Sequence, residues 1–496
     1  MKLRNLNEKK GSNVPKKLSI LTMKKKILAI SLIMTLSVVL FYAGFSSGIG
    51  GSPPASIIES GSMVSTASYT VFKDSSGTYY ARNGSTGTIE FSSTNATYVF
   101  QSCHDAIDGG LISVKSGIYL FSGDLLITNE HISIVGEGLG DIPDKGTILR
   151  ATSGCDKIIH MKDSRWFRME HLTLDANDVA DFCFYADNYN NSAKGEANIY
   201  LNDIFAWGIA MGKCYHTISP VKIAGSTIVT ITNCVFHHGY ITLNFVDCTD
   251  VWVSNCDIEM GVNAIKTENC WHIHLTSIKL ADCRQEFANT DYAGTSNGAV
   301  IFFGEAEHNI EMENIIILEY MLHAIRIGPY VVGPVLMNNI KIDLQPSTVP
   351  IGTSYGIWNQ GCDKVVGSNI DIWDRNETTS RINIAVYDQG DSNTWTNVNV
   401  RNCAAAWSFT GSGYRVSNWH IDGKPTENSG TATIYSSTYV DVTHGLAGTP
   451  TLILLQPKDS APAGYYWVTN IGATTFRIYI GTAGNATFYW YAEYKP

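Results

Sequence analysis

Between residues 112 and 422 the sequence repeats one short unit, in which a β-branched strand, one polar residue and a second strand follow each other. Successive polar residues are separated by 22, 22, 37, 25, 30, 28 and 21 residues. They are Asn233, Asn255, Ser277, Asn314, Asn339, Asn369, Asn397 and Asn418, and His171 and Asp203 stand in similar earlier segments. Intervals of this size are typical of a solenoid in which each repeat forms one coil and loops of variable length are inserted on one face.

The polar residue between the two strands predicts a sharp corner. Asn tolerates a positive φ angle better than most residues, and its amide both donates and accepts hydrogen bonds, so stacked coils would place one corner amide above the next. On either side, Ile, Val and Leu alternate with polar residues, which predicts an apolar interior and backbone pairing from coil to coil. A β-sandwich also has alternating strands, but it does not explain a fixed polar corner. The sequence therefore predicts an all-β, right-handed parallel β-helix.

The segment Gly109–Ala151 contains a Gly-x-Tyr turn at Gly117 and an Ile-x-Gly-x-Gly turn at Ile134, followed by the strand TILRA. It resembles the opening coils of the pectate-lyase-like β-helix superfamily, and the similarity continues through the polar corners to about Asp422. The resemblance implies a right-handed parallel β-helix over residues 109–424. It implies less about activity, because the superfamily includes lyases, hydrolases, epimerases, phage tail spikes and adhesins.

Five further segments lie outside the repeat. Residues 1–26 form a basic N-terminal segment, 27–45 an apolar run, 46–68 a linker rich in Gly, Ser and Pro, and 69–108 an N-terminal β region that leads into the helix. Residues 431–496 contain short strands separated by Gly, Pro and Asn turns, which predict a small C-terminal all-β module similar to a sandwich. This segment is similar to C-terminal modules of phage tail and surface proteins, which implies capping, oligomer formation or sugar binding.

The apolar run Ile27–Phe45 contains no charge and follows Lys24–Lys26, so it predicts an export segment: either a signal peptide or an uncleaved membrane anchor. The basic side is expected to stay in the cytoplasm, which places the rest of the chain outside the cell, secreted or tethered to the membrane. Five Asn-x-Ser/Thr sequons would then be open to glycosylation. They are Asn83, Asn95, Asn190, Asn376 and Asn485.

The charge of the chain argues against nucleic acid as a partner. Residues 1–26 hold nine of the 35 Lys and Arg residues and one of the 45 acidic residues, leaving 26 basic and 44 acidic residues in the remainder. A nucleic-acid surface needs a basic stripe for the phosphates, which this composition does not favour. The partners that we expect are a polysaccharide or a surface glycan, and the sequence is compatible with an oligomer.

The segment Asp250–Cys270 resembles the calcium-site coil of pectate lyases, which pairs a Val-Trp-Ile-Asp-His-Cys strand with a following Asp-Gly-x-x-Asp coil. Ser254 and Asn255 stand where that motif has Asp and His, and Lys266 stands at the position of the second Asp of the following coil. Calcium requires oxygen ligands. The calcium motif is therefore not intact, no residue is assigned as a metal ligand, and the sequence leaves open whether Ca²⁺ is a cofactor.

One strand of each later coil ends on a shared pattern, seen in TLNF, AIKT, VIFF, AIRI, GIWN and AVYD. An inward apolar residue is followed by an outward one, and the predicted outward column is Asn244, Lys266, Phe302, Arg326, Trp358 and Tyr387. With coils about 4.8 Å apart, the column would run for about 24 Å, enough for a sugar chain to lie along it. Aromatic rings stack on pyranose rings, and Lys or Arg pairs with uronate carboxylates. The alternative interpretation is an ordinary solvated sheet face with scattered aromatic residues.

Two classes of function follow, and the sequence does not decide between them. The first is a lyase or glycoside hydrolase acting on acidic polysaccharide, with substrate held by Asn244, Phe302, Trp358 and Tyr387. Its catalytic candidates are Lys266 or Arg326 as base or uronate clamp, Asp257, Glu259 and Asp291 as carboxylates, and His323 from an adjoining turn. Asn289-Thr290-Asp291 resembles one element of the polygalacturonase set, but no Asp-Asp pair accompanies it. The second class is a non-enzymatic surface protein, such as a tail-spike-like adhesin, in which the β-helix is a rigid rod.

Overall fold

The computed structural model describes most of the chain from Thr66 onward. The described ranges are 66–140, 145–189, 197–208, 219–283, 299–304, 307–318, 323–344, 354–375, 380–458 and 465–495. The apolar run at 27–45 and the candidate Asp291 lie outside these ranges. Within them, no helix has the length and apolar character needed to cross a membrane.

The repeat forms a parallel β-helix whose coils contribute strands to three sheets, called here face 1, face 2 and face 3. Face 1 strands end at the polar corner, face 2 strands begin after it, and face 3 strands complete the coil. Strands of successive coils pair in parallel, as β14 (Ile228–Thr232) does with β16 (Thr249–Ser254) on face 1 and β19 (Ala299–Phe303) does with β21 (His323–Ile327) on face 3. Each coil therefore satisfies its backbone hydrogen bonds on the neighbouring coils.

The strands are distributed over the faces as follows. Face 1 also contains β4 (Gly110–Val114), β7 (Ile132–Val135) and β28 (Arg415–Ser417). Longer strands run through the corner from face 1 to face 2: β10 (Phe167–Asp175), β12 (Asn198–Trp207), β18 (Trp271–Ala281), β20 (His308–Leu318), β22 (Val332–Leu344), β24 (Val365–Asp374) and β26 (Thr394–Arg401). Face 2 also contains β5 (Gly117–Phe121), β8 (Thr147–Ala151) and β29 (His420–Ile421), and β15 (Val235–Val246) and β17 (Asp257–Glu268) continue from face 2 into face 3. The remaining strands of face 3 are β6 (Leu125–Ile127), β9 (Lys157–Lys162), β11 (Phe182–Asp187), β13 (Val221–Ala224), β23 (Ser354–Asn359), β25 (Ile382–Asp388) and β27 (Ala405–Phe409).

The predicted corners are confirmed. All ten polar corner residues, from His171 to Asn418, have φ between 50° and 57°. Some of these side chains form a hydrogen-bonded ladder from coil to coil: Asn339 Nδ2 donates to Asn314 Oδ1 at 2.6 Å, and Asn397 Nδ2 donates to Asn369 Oδ1 at 2.5 Å. The corner thus combines a left-handed backbone that Asn tolerates with amide hydrogen bonds between coils.

The N-terminal end of the β-helix is closed by a short antiparallel sheet and one helix. The sheet consists of β1 (Tyr69–Lys73), β2 (Tyr79–Asn83) and β3 (Ile89–Ser93), and β1 also pairs in parallel with β4. Helix α1 (Ala96–Asp105) buries Phe100, whose ring lies 5.6 Å from that of Tyr119 and 5.2 Å from that of Phe121. These contacts join the helix to a single apolar core that extends from Tyr69 to Trp419.

After β29 the short strand β30 (Lys424–Pro425) leads into a separate antiparallel sheet. It consists of β31 (Glu427–Thr443), β32 (Leu452–Pro457), β33 (Tyr466–Thr469) and β34 (Thr475–Glu493). The pairing of β31 with β34 is interrupted between Ile434 and Tyr439, so this long antiparallel pair divides into two halves. Phe476 from one half packs edge-on against Trp490 from the other at 5.6 Å, within a core of the sheet's own.

Candidate functional site

Face 3 places the predicted outward column in a single register. Backbone pairing joins Asn244 to Lys266, Lys266 to Phe302, Phe302 to Arg326, Arg326 to Trp358 and Trp358 to Tyr387. The inward neighbours of these residues are fully buried; they are Leu243, Ile265, Ile301, Ile325, Ile357 and Val386. The predicted alternation of inward and outward residues is therefore confirmed over these coils.

The column extends beyond the predicted residues. On its N-terminal side, His160, Tyr185 and Lys222 pair in the same register up to Asn244, and on its C-terminal side Tyr387 pairs with Ser408. The Lys222 ammonium lies 5.5 Å from the centre of the Tyr185 ring. The strand ends from which the column was predicted begin with TLNF, so the sequence pattern did not include these earlier residues.

Arg326 lies in the middle of the column between two aromatic rings. Its guanidinium carbon is 5.0 Å from the centre of the Phe302 ring and 4.8 Å from the centre of the Trp358 ring, so both rings stabilise the cation. Its Nε donates to Gln360 Oε1 at 2.9 Å, which fixes the plane of the group. Desolvation of the half-buried side chain lowers the pKa of Arg326, but an arginine remains charged in proteins. Arg326 therefore presents its positive charge on face 3 in a fixed orientation.

An aromatic cluster continues from Arg326 along the next two coils. The Tyr355 ring lies 5.4 Å from the Trp358 ring and 5.4 Å from the Tyr387 ring, and the Trp358 and Tyr387 rings are nearly parallel at 6.4 Å. Gln389 links two members, because its Oε1 accepts from Trp358 Nε1 at 3.3 Å and its Nε2 donates to the Tyr387 hydroxyl at 3.1 Å. Trp358, Tyr355 and Tyr387 are each partly exposed. The cluster presents ring surface in a rigid arrangement.

His323 belongs to the same cluster, although it is nearly buried, with 8% of its surface exposed. Its ring stacks on Tyr355 at 5.0 Å and meets Trp358 edge-on at 4.9 Å. Its Nδ1 accepts the backbone N–H of Tyr355 at 3.3 Å. Because Nδ1 is the acceptor, Nε2 carries the proton of the neutral ring. His323 is therefore engaged through Nδ1 with the backbone of the cluster itself.

A buried carboxylate network supports the aromatic cluster from below. Asp388, only 1% exposed, accepts hydrogen bonds from Asn359 Nδ2 at 2.7 Å and from Trp395 Nε1 at 2.7 Å. Burial raises the pKa of Asp388. Because Asn359 follows Trp358 and Asp388 follows Tyr387 in the chain, this network fixes the backbone on which the two outward rings stand.

Two members of the predicted column, Asn244 and Phe302, are nearly buried, although the sequence predicted that they are open to a ligand. Asn244 and Phe302 face outward by register, but they are only 8% and 7% exposed. Lys266 is more accessible, and its Nζ forms an ion pair with Glu268 Oε1 at 2.5 Å. The prediction of an open column is therefore wrong for Asn244 and Phe302, and the accessible part is centred on Arg326 and the aromatic cluster.

The predicted carboxylates Asp257 and Glu259 lie apart from this cluster. They occupy the face 2 part of β17, where Asp257 pairs with Lys279, whereas Lys266 on the same strand pairs with β19 of face 3. Both carboxylates contact Lys279 Nζ, Asp257 at 3.1 Å, and Glu259 also lies 3.8 Å from His237 Nε2. Burial raises the pKa of Asp257, while the hydrogen bond to Glu259 raises the pKa of Lys279.

The remaining candidates concern metal ions and Asp291. In the part of the chain that the structure describes, no three His, Cys, Asp or Glu side chains are grouped so that they could hold a metal ion. Ser254, Asn255 and Lys266 do not converge either, because Ser254 and Asn255 lie on face 1 and at its corner while Lys266 lies on face 3. Asp291 lies outside the described residues, so its predicted role stays a prediction.

Comparison with known proteins gives similarity at the level of structure alone. No family model matches the sequence, and no curated protein matches it. Among solved structures, DFA-IIIase from Arthrobacter chlorophenolicus A6 in complex with GF2 is 11% identical with a TM-score of 0.41, covering 65% of this chain and 90% of that one. The tailspike protein gp49 from Pseudomonas phage LKA1 is 11% identical with a TM-score of 0.38, covering 79% and 92%. The N-terminal fragment of bacteriophage Phi29 gene product 12 is 12% identical with a TM-score of 0.37, covering 67% and 70%. No activity or substrate follows from similarity at this level.

Proposed function

We propose that this chain is an extracellular polysaccharide-binding protein that holds an acidic glycan lengthwise along face 3. The observation that carries the proposal is the position of Arg326 between Phe302 and Trp358, next to the ring surface of Tyr355 and Tyr387. The β-helix is taken to be right-handed, the hand that parallel crossover connections almost always adopt. The apolar run at 27–45 would serve as its export signal or membrane tether.

The chemistry of the cluster matches that of a uronic-acid chain. Trp and Tyr rings can stack on the apolar face of a pyranose, and the planar guanidinium forms paired hydrogen bonds with a carboxylate. Successive coils are about 4.8 Å apart, so rings on neighbouring coils can contact neighbouring sugars. Because the chain beyond residue 26 is acidic, attraction for an anionic glycan has to come from a local cation such as Arg326 and not from the net charge.

Binding without cleavage is the form of this proposal that the local contacts favour. Lys266 is paired with Glu268, and Asp257 and Glu259 share Lys279, so these catalytic candidates are engaged with opposite charges. His323 has its Nδ1 occupied by the Tyr355 amide. A general base or acid must reach the proton that it transfers, and these groups are better placed as hydrogen-bond donors or structural ion pairs. A lyase or hydrolase remains the alternative form of the proposal, tested by the release of unsaturated or reducing ends.

The test is to replace Trp358 and Arg326 by Ala and to measure binding of polygalacturonate and alginate oligosaccharides by calorimetry. We expect Trp358→Ala to weaken binding by about 1–3 kcal/mol if the indole stacks on a sugar ring, as it would on a base. Arg326→Ala should weaken binding and also flatten its dependence on salt, since the charge that is screened has been removed.

Face 2 offers a matched control with the same pair of residue types. The Arg401 guanidinium lies 4.4 Å from the centre of the Trp373 ring, away from the face 3 cluster. Trp373→Ala and Arg401→Ala should leave glycan binding unchanged. If the Arg326→Ala/Trp358→Ala double variant binds these glycans as the unaltered protein does, the acidic-glycan proposal is wrong and the rigid surface rod should replace it.

A further inference from the structure

Face 1 carries a groove near the N-terminal end of the β-helix, on a different sheet from the face 3 cluster. Its volume is about 550 Å³, within the range of pockets that hold small ligands. Its floor is one outward register on four coils, formed by Ser133, Arg168, Tyr200 and Thr230. His131 and Trp166 line the groove beside this floor.

Trp166 occupies a strained backbone conformation. Its φ angle is 58°, in the left-handed region where a bulky side chain is a genuine outlier, whereas His131 at 59° is of a residue type that adopts this region more often. In later coils, Asp250, His272 and Asn309 stand in one register near the start of face 1 strands with φ of 47°, 51° and 53°, and these are residue types that tolerate the region better. Such strain costs about 1–3 kcal/mol and tends to occur at functional sites.

The strained corner places aromatic surface at the groove where solvent can reach it. The Trp166 side chain is 49% exposed, and its ring is parallel to that of His131 within 7° at a distance of 5.9 Å. Burial of the indole therefore does not explain why Trp166 occupies this position. An exposed, rigid indole face beside hydrogen-bonding side chains is the arrangement in which an aromatic residue can stack on a sugar ring.

The polar groups of the groove carry little net charge. Arg168 Nη2 pairs with Glu170 Oε2 at 2.7 Å, and Glu170, only 5% exposed, also accepts from Asn202 Nδ2 at 3.2 Å. The Arg168 guanidinium lies 5.3 Å from the centre of the Tyr200 ring, and its side chain is 54% exposed. Because Glu170 balances the charge while about half of the Arg168 side chain, with its five N–H donors, is exposed, the groove offers hydrogen-bond donors without a strong attraction for anions.

We propose that this face 1 groove is a second saccharide site, one that takes a short segment of a neutral glycan. The Trp166 indole stacks on one sugar ring, and Arg168 and Tyr200 bind hydroxyl groups of the next. The proposal does not depend on the acidic-glycan function of face 3, since the two sites lie on different sheets and share no residue. The two proposals can therefore fail separately.

The test uses Trp166→Gly in the full chain, with maltohexaose, cellohexaose and mannohexaose as neutral probes and trigalacturonate as the acidic comparison. We expect the unaltered protein to bind at least one neutral probe and Trp166→Gly to weaken that binding about fivefold or more. Glycine adopts the left-handed conformation without strain, so the melting temperature should stay the same or rise. Trp166→Phe keeps an aromatic face and should retain most of the binding.

Trp271 provides the matched control, because it lies on face 1 outside the groove and is 47% exposed. Trp271→Ala should leave binding of the neutral probe unchanged, and so should the Arg326→Ala/Trp358→Ala double variant. The proposal is overturned if no neutral probe binds at millimolar concentration, or if binding survives in Trp166→Gly.

Discussion

Glu307 is a carboxyl group held between two coils with none of its surface exposed. Its Oε2 accepts the backbone N–H of Cys270 at 2.9 Å, and burial is the main reason that its pKa is raised to about 8. An unfolded glutamate titrates near pH 4.3. Between these two values the folded protein binds a proton that the unfolded chain has released. Stability supplied by Glu307 is therefore fully present below about pH 4 and is lost as the pH rises towards 8.

Replacing Glu307 by Gln should remove this pH dependence, since the amide keeps the acceptor oxygen and carries no ionisable proton. We expect Glu307→Gln to gain stability relative to the unaltered protein as the pH rises from 5 to 8, by at most about 1.4 kcal/mol per pH unit. Melting temperatures measured across this range check the prediction. Glu313→Gln, at an exposed site, is the control. If the melting temperatures of Glu307→Gln and the unaltered protein differ by the same amount at every pH in this range, the prediction is wrong.

Single residues were predictable where one physical requirement dominates. A left-handed corner favours Asn, and an apolar interior requires alternating Ile, Val and Leu, so the corner residues and the inward neighbours of the column were found from sequence alone. Tyr355 was missed because strict alternation from Ile357 would point it inward, whereas its ring contacts the outward Trp358 and Tyr387. The pairing of β23 with β25 shifts register between Ser354 and Tyr355, so Tyr355 stands at the edge of the regularly paired part of the strand.

At the scale of elements, closeness in sequence did not predict which residues share a face. Asp257 and Glu259 stand a few residues before Lys266 on the same strand, yet they pair with β18 on face 2 while Lys266 pairs with β19 on face 3. The physical reason is that β17 crosses from one sheet to the next. In the described strands β15 and β17 this second bend passes through Gly239 and Gly261 and lacks the Asn of the first corner, so the sequence did not mark it.

At Asn397, the contribution of the corner to stability can be separated into a backbone part and a side-chain part. Its Nδ2 donates to Asn369 Oδ1 and its Oδ1 accepts from Asn418 Nδ2 at 3.1 Å, while its φ is 54°. Asn397→Gly loses the two hydrogen bonds but tolerates the backbone, whereas Asn397→Ala also carries the cost of the left-handed conformation. We expect Asn397→Ala to be less stable than Asn397→Gly by about 1 kcal/mol in denaturant unfolding. Equal losses would mean that the φ angle does not select the corner residue.

At the scale of the whole molecule, the β-helix follows from repetition, since each coil can bury its apolar face only against its neighbours. Because the coils repeat, the fold was predictable from a few of them, and so was the register of the face 3 strands. The face 1 groove could not be predicted in the same way, because it depends on side chains from four coils and on the strained corner at Trp166. A repeat pattern describes what coils share and not where one coil departs from the others.

The last coil meets the C-terminal sheet through specific contacts. Trp419 is fully buried, its Nε1 donates to the Trp395 carbonyl at 3.1 Å, and its backbone carbonyl accepts from Thr426 N at 2.8 Å. Trp407 packs on Trp419 at 5.0 Å and on Tyr494, from the end of the sheet, at 5.3 Å. Tyr494 N also donates to the Thr426 carbonyl at 2.7 Å.

Because of these contacts, we expect a chain that ends at Asp422 to keep the β-helix but to be less stable. The preceding coils retain their pairing, so circular dichroism should stay rich in β-structure, while the melting temperature should fall because Trp419 and the open strand edges become exposed to water. Fluorescence of the shortened chain should shift to longer wavelength. Tyr494→Ala in the full chain removes only one ring from this contact and should cause a smaller fall. Complete loss of the β signal on truncation would mean that the sheet is an integral cap without which the coils do not fold.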